Sequence, residues 1–210
     1  MRLGDRDING LSVLAPMAGV ADRALRELCV SFGASYCVSE MVSAKGLVLG
    51  DRESARLLEV SQKERPMAVQ LFGSEPEIMH SAVKMAVEHN PEAIDINMGC
   101  PAPKITSGGA GSALMKTPSL CAELTAAARE AAGHIPVTVK MRTGWDEENK
   151  NFLEVASLCE KAGCAAITLH ARTKQRMYAP PAEWECITEL KKAVSVPVIG
   201  NGDVCSGEDA

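Results

Sequence analysis

The sequence predicts an α/β fold of the (β/α)8 TIM-barrel class, with about seven of the eight βα units in the chain. Three observations carry that prediction. Short apolar runs of strand character alternate with longer stretches of helical periodicity. Gly or Pro marks most of the junctions, at Gly33, Gly73, Gly133, Pro136, Gly163 and Pro197. The first βα junction, Ala15-Pro16-Met17-Ala18-Gly19, lacks the G-x-G-x-x-G turn of the usual dinucleotide fold, which leaves the barrel as the better parallel-sheet architecture.

In chain order the predicted strands are 12–17, 35–41, 66–72, 93–98, 136–141, 165–170 and 197–201. Helical spacing is clearest over 75–88, where Ile78, Ala82, Val83, Ala86 and Val87 recur, and over 151–162, where Phe152, Val155, Ala156, Cys159 and Ala162 do so. Weaker helical patterns cover 119–132 and 182–194. Ser206-Gly207-Glu208-Asp209 has the form of a capping box. No low-complexity tract interrupts the pattern, so residues 1–210 are read as one domain. A complete barrel takes about 250 residues, and a chain of 210 residues that ends after its seventh strand is expected to be an incomplete one with two open sheet edges.

Composition excludes several classes. With 46% hydrophobic and 23% charged residues and a net charge of −5, the chain is neither disordered nor fibrous. No apolar run reaches the roughly 18 residues of a membrane span, and the opening MRLGDRDING has no signal-peptide core, so a cytoplasmic protein without membrane contact is expected. The eight cysteines show no C-x-x-C and no paired His/Cys spacing. They predict no metal site and no disulfide framework; apart from Cys100 they read as reduced core residues.

Strand alternation separates two faces. In the fifth strand Val137, Val139 and Met141 face the helices and Lys140 faces inward; in the fourth, Ile94, Ile96 and Met98 oppose Asp95 and Asn97. The third opposes Val69 and Leu71 to Gln70, the sixth opposes Ile167 and Leu169 to Thr168 and His170, and the seventh ends in Asn201. Gln70, Asn97, Lys140, His170 and Asn201 therefore converge at the C-terminal mouth, where barrels place their chemistry. An unpaired buried polar group costs on the order of 1–3 kcal/mol, so five together point to a polar ligand. Directly after the fourth strand, Gly99 allows a tight turn and Pro101 fixes the backbone beyond Cys100, which presents that thiol at the mouth. An ordinary thiol is mostly protonated at neutral pH and suits proton donation. His80, His89 and His134 fall in or beside predicted helices and are read as surface or helix-capping residues.

Seven blocks, in order, resemble the tRNA-dihydrouridine synthases, most closely the bacterial B type. They are Ala15-Pro16-Met17-Ala18-Gly19, Gln70-Leu71-Phe72-Gly73, Asn97-Met98-Gly99-Cys100-Pro101, the run from Gly108 to Met115, the run from Lys140 to Trp145, His170-Ala171-Arg172-Thr173, and Asn201-Gly202-Asp203. The resemblance implies a flavin enzyme in which Pro16, Met17 and Ala18 line FMN, Gln70, Lys140 and His170 contact it, and Asn201, Gly202 and Asp203 serve its ribityl-phosphate end. It implies NADPH or NADH as reductant, hydride transfer to uracil C6 and proton transfer from Cys100 to C5 in tRNA. Asn97, Lys104, Arg142 and Arg172 are then the candidates for substrate binding, and the target uridine must leave its stack to reach the flavin. The resemblance also implies a monomer when full-length and a missing C-terminal helical domain.

Overall acidity opposes an RNA partner at long range. The segment from His170 to Tyr178, however, carries Arg172, Lys174 and Arg176 without an acid, and Lys104 is expected to extend this patch. After Tyr178 the family pattern of Ser-Gly is replaced by Ala179-Pro180. Two other readings remain open: a small-molecule FMN oxidoreductase of the dihydroorotate or dihydropyrimidine dehydrogenase type, and an inactive fragment.

Overall fold

A short hairpin, β1 (Arg2–Leu3) antiparallel to β2 (Arg6–Asp7), precedes a parallel sheet of β3 (Val13–Leu14), β4 (Tyr36–Ser43), β5 (Met67–Phe72), β6 (Ala93–Met98), β7 (Val137–Arg142), β8 (Ala166–His170) and β9 (Val198–Asn201) in the computed structural model, which describes residues 1–209. The seven parallel strands follow one another in chain order. Each crossover carries helix: α1 (Arg23–Ser31) after β3, the short α2 (Ala44–Val48) and α3 (Arg52–Arg56) after β4, and α4 (Pro76–Val87) after β5. α5 (Pro103–Thr106) and α6 (Pro118–Ala132) follow β6, α7 (Phe152–Lys161) follows β7, and α8 (Trp184–Ala193) follows β8. This is the curled sheet of a (β/α)8 barrel with seven strands among the described residues, as the alternation of patterns predicts.

The two faces predicted from alternation are the two faces observed. Val69, Leu71, Ile94, Ile96, Met98, Val137, Val139, Met141, Ile167 and Leu169 pack with Met79, Ala82, Val83, Leu124, Ala128, Val155 and Leu190 of the surrounding helices. On the inner face, the bottom of the barrel is filled by a smaller cluster in which Leu3 and Ile8 of the hairpin region meet Tyr36, Val38, Ala68, Ala93 and Ala166. Residues 1–11 carry no strand or helix pattern in the sequence, and through Leu3 and Ile8 they stopper the N-terminal end.

Two elements differ from expectation, and the short helices α2, α3 and α5 have no counterpart in the sequence pattern. The first strand has two residues instead of six, because Pro16 has no N–H to give the ladder and restrains Ala15 before it. α1 was not predicted because the residue it buries is Arg26, whose Nε donates to Glu64 Oε2 at 2.6 Å and whose Nη1 donates to the Ala21 carbonyl. Its N-cap, Asp22, accepts from the Leu25 amide and was the available signal. At 206–209 the expected capping box is present, with Ser206 N donating to Asp209 Oδ2 and Asp209 N to Ser206 Oγ, in a turn at the end of the described residues.

All eight cysteines are free. Five are buried, but Cys29 on α1 is half-buried and Cys205, after the last strand, is exposed, which corrects the assignment of those two to the core. Among the described residues no group of His, Cys, Asp or Glu is arranged to hold a metal, and no helix is long and apolar enough to cross a membrane.

Candidate active site

Parallel register sets the inward residues in rows. Gln70 pairs with Asp95, Asp95 with Thr138, Asn97 with Lys140, Arg142 with His170, and His170 with Asn201. Side chains then join these rows into a floor. Gln70 Nε2 and Thr138 Oγ1 both donate to the Asp95 carboxylate, and Asn97 Nδ2 donates to Gln70 Oε1 at 2.9 Å. Burial raises the Asp95 pKa against the opposing effect of those two donors and of Lys140. Lys140 Nζ donates to Asn201 Oδ1 at 2.8 Å, and burial, only partly offset by Asp95, brings its pKa down to about 8. Asp95 was seen in the sequence as an inward residue but not as part of the site; the alternation of β6, which places it beneath Asn97, was the signal.

Cys100 stands at the edge of this floor, half-buried. Asn97 Oδ1 accepts from both the Gly99 and Cys100 amides, at 3.1 and 2.9 Å, forming a side-chain-closed turn that lifts the thiol out of the strand. The Cys100 carbonyl accepts from Ser112 N and Ser112 Oγ, both at 3.0 Å. Gly111 approaches so closely that a Cβ there would lie 2.7 Å from that carbonyl oxygen, and its φ of +59° independently favours glycine. Strand β6, the turn and the 3-10 segment Gly111–Lys116 thus hold Cys100 from both sides.

The rim is built by arginines. Arg172, 4% exposed, donates through Nη2 to both Asp203 oxygens at 2.6 and 2.7 Å, through Nε to the Ala179 carbonyl, and through Nη1 to His170 Nε2 at 3.2 Å. A guanidinium only donates, so His170 Nε2 is an acceptor and the ring's proton sits on Nδ1. Burial, with Arg142, Lys140 and Arg172 adding to it, takes the His170 pKa down to about 3, so the imidazole is neutral at ordinary pH. Asp203 also accepts from the Ala182 amide, and Arg172 and this amide together hold its pKa below the usual carboxylate range. Arg142 donates to the carbonyls of Gly99, Thr173 and Met177, pinning a turn in which Met177 has φ of +53°. Arg176 is taken by Glu183 and the Pro181 carbonyl.

The structure therefore brings Gln70, Asn97, Lys140, His170, Asn201, Arg142, Arg172 and Asp203 into one network around Cys100, with Gly202 packed against His170. Pro16, Met17 and Ala18 lie at the same end of the sheet, on the loop after the edge strand β3, and Lys104 is exposed on α5. The expected cationic patch is smaller than the sequence indicates: Arg172 and Arg176 spend their charge on Asp203 and Glu183, because the loop after β8 folds back onto them. His89 and His134 are exposed and His80 is half-buried, all away from the mouth.

A model of the dihydrouridine synthase (Dus) family matches residues 13–210. tRNA-dihydrouridine synthase B of Vibrio vulnificus is 43% identical over 210 residues, covering 100% of this chain and 65% of that protein. The synthase B of Pseudomonas aeruginosa is 43% identical, with 100% and 63% covered, and a probable tRNA-dihydrouridine synthase of Rickettsia bellii is 40% identical, with 97% and 63% covered. The chain spans about 65% of the length of the first of these relatives. Among solved structures, a variant of NCR from Zymomonas mobilis superposes with a TM-score of 0.69 at 14% identity, over 100% of this chain and 80% of that one. The old yellow enzyme homologue of the same organism gives 0.67 at 13%, over 97% and 81%. These two likenesses support the barrel architecture. The match over residues 13–210 and the identity along the full length make this chain a member of the dihydrouridine synthase family.

Proposed function

We propose that this chain carries the catalytic barrel of an FMN-dependent enzyme that reduces the C5–C6 double bond of uridines in tRNA, with NADPH or NADH as the source of electrons. The observation that carries the reading is the juxtaposition of a half-buried ammonium, Lys140, with the turn that presents Cys100: Asn97 pairs with Lys140 in the sheet and closes the turn.

The donor set fits a flavin. Lys140 has three N–H groups and gives one to Asn201, and His170 keeps Nδ1–H free of the Arg172 contact. Both suit the acceptor-rich edge of an isoalloxazine or its side chain. A Cβ on Gly202 would lie 3.1 Å from both His170 Cδ2 and Ala182 Cβ, so the loop after β9 forms a close backbone cradle. Pro16, Met17 and Ala18 are proposed to line the cofactor, with Gln70, Lys140 and His170 against it. Asn201, Gly202 and the backbone of Asp203 are proposed for the ribityl-phosphate end; the Asp203 carboxylate is committed to Arg172.

Bound FMN would supply the hydride that reaches uracil C6. With that cofactor bound, Lys140 would offer positive charge to balance the negative charge that accumulates on reduction, and its environment makes its own charge sensitive to pH. Cys100 gives its proton to C5, so one hydride and one proton saturate the double bond. Asn97 aims Cys100 and, with Lys104 and Nη2 of Arg142, is proposed to meet the substrate, whereas Arg172, committed to Asp203, Ala179 and His170, supports the rim behind them. Cys100→Ala in the flavin-loaded protein is expected to keep the yellow cofactor and to lose about 100-fold or more of dihydrouridine formation, the range for removing a proton donor. A near-normal rate would remove Cys100 from the chemistry. Unchanged dihydrouridine in tRNA from a deletion strain with no second synthase would remove the reaction itself.

A further inference from the structure

Away from Cys100, three loops of the same mouth meet on one indole. The Lys116 ammonium lies 3.5 Å from the centroid of the Trp145 ring and the Lys174 ammonium 4.4 Å from it, so the two nitrogens are at most about 8 Å apart, the sum of those distances. Lys116 ends the 3-10 segment after β6, Trp145 follows β7, and Lys174 follows β8. Backbone contacts fix the arrangement: Lys174 N donates to the Gly144 carbonyl, Gln175 N to the Trp145 carbonyl, and Asn151 Nδ2 to the Met115 carbonyl. Gly144 is held so tightly against Asn149 and Lys150 that a side chain there would collide with backbone.

Neither lysine is engaged by a carboxylate in the ion pairs of the described residues, unlike Arg172 and Arg176 beside them. The nearby acids are otherwise occupied: Glu147 pairs with Lys150 and accepts from Thr173, and Asp146 accepts from Asn149; Glu148 is exposed. Two like charges held within about one Debye length of each other repel unless an anion joins them. We infer that Lys116 and Lys174, ordered by Trp145, form a phosphate-binding station that grips the backbone of the RNA substrate beside the active-site mouth. The inference rests on the tRNA reading above and adds a specific contact to it. Phosphate contacts position a nucleic acid without reading its sequence, which suits two lysines on rigid loops.

The test measures binding of an unmodified tRNA transcript to the FMN-loaded protein across a series of salt concentrations. Each phosphate contact contributes about 0.7–0.9 to the slope of log K against log salt. Lys116→Gln with Lys174→Gln is expected to reduce the slope by about 1.5 and to weaken binding roughly tenfold at low salt. Trp145→Ala keeps both charges but frees them, and is expected to weaken binding about threefold with little change in slope. Far-UV circular dichroism equal to wild type shows that the lysine variant is folded, and Lys116→Arg with Lys174→Arg should retain the slope. If wild type binds tRNA and the glutamine variant has the same slope and affinity, the station is wrong while the tRNA reading stands. If the loss falls instead on the rate of flavin reduction by NADPH, the anion is that of the nicotinamide nucleotide and the inference is overturned. If wild type itself does not bind tRNA, both readings fall.

Discussion

The floor and the rim of the barrel mouth are built from the same polar vocabulary and use it differently. On the floor, Gln70, Asp95, Asn97 and Lys140 sit on the adjacent strands β5, β6 and β7, where sheet register makes them neighbours, and Lys140 reaches past β8 to Asn201 on β9. On the rim, Arg142, Arg172 and Arg176 reach across loops to carbonyls and carboxylates. The guanidinium, with five donors in a rigid fork, serves to tie loops together, and the ammoniums of Lys140, Lys116 and Lys174 keep donors for something outside the protein. Charge counted along the sequence is thus a poor measure of charge available to a ligand.

Breaking the floor should have the largest effect on stability. Asp95→Leu strands the donors of Gln70 and Thr138, and is expected to cost about 3 kcal/mol in urea denaturation; a loss below about 1 kcal/mol would mean that the carboxylate is not the hub. Arg172→Leu on the rim removes contacts to Asp203, Ala179 and His170. Because Asp203 is 38% exposed and its charge can be rehydrated, about 2 kcal/mol is expected, with faster proteolysis within the freed loop after β8, at Lys174 and Arg176. Equal costs for the two would erase the distinction between hub and tie.

Smaller effects address the ligand and pH. On the proposed function, Lys140→Met weakens FMN binding about tenfold, as for one charge-assisted hydrogen bond, and wild-type affinity falls as pH rises through about 8, where Lys140 loses its proton. The pH dependence of stability without cofactor has definite signs. The unfolded chain holds the lysine proton above about 8 and the folded chain gives it up, so stability rises from pH about 8 toward 10.5. His170 accepts a proton only near pH 3 when folded but at 6.5 when unfolded, so stability is lost as pH falls from 6.5 toward 3. Cofactor-free protein whose stability is flat from pH 8 to 10 would show that Lys140 is not desolvated.

The floor was legible because a strand exposes its alternation directly: Lys140 between Val139 and Met141, or Asn97 between Ile96 and Met98, can only face the other way. The rim was not, because Arg172 meets Asp203 and Arg176 meets Glu183 only after the loop through Pro180 and Pro181 has folded back. Lys116 was missed for the same reason: it follows β6 and Trp145 follows β7, and no local pattern marks their meeting. α1 was hidden by a buried arginine where an apolar residue is expected, and the opening hairpin by its brevity.

That hairpin has a consequence for traffic. Leu3 and Ile8, wedged among Tyr36, Val38, Ala68, Ala93 and Ala166, close the far end, so among the described residues the mouth is the way in along the barrel axis. On the proposed function a bulky RNA and a nicotinamide nucleotide would have to queue for it. Each must depart before the other arrives, and initial-rate plots at several fixed concentrations of one partner should run parallel and not converge.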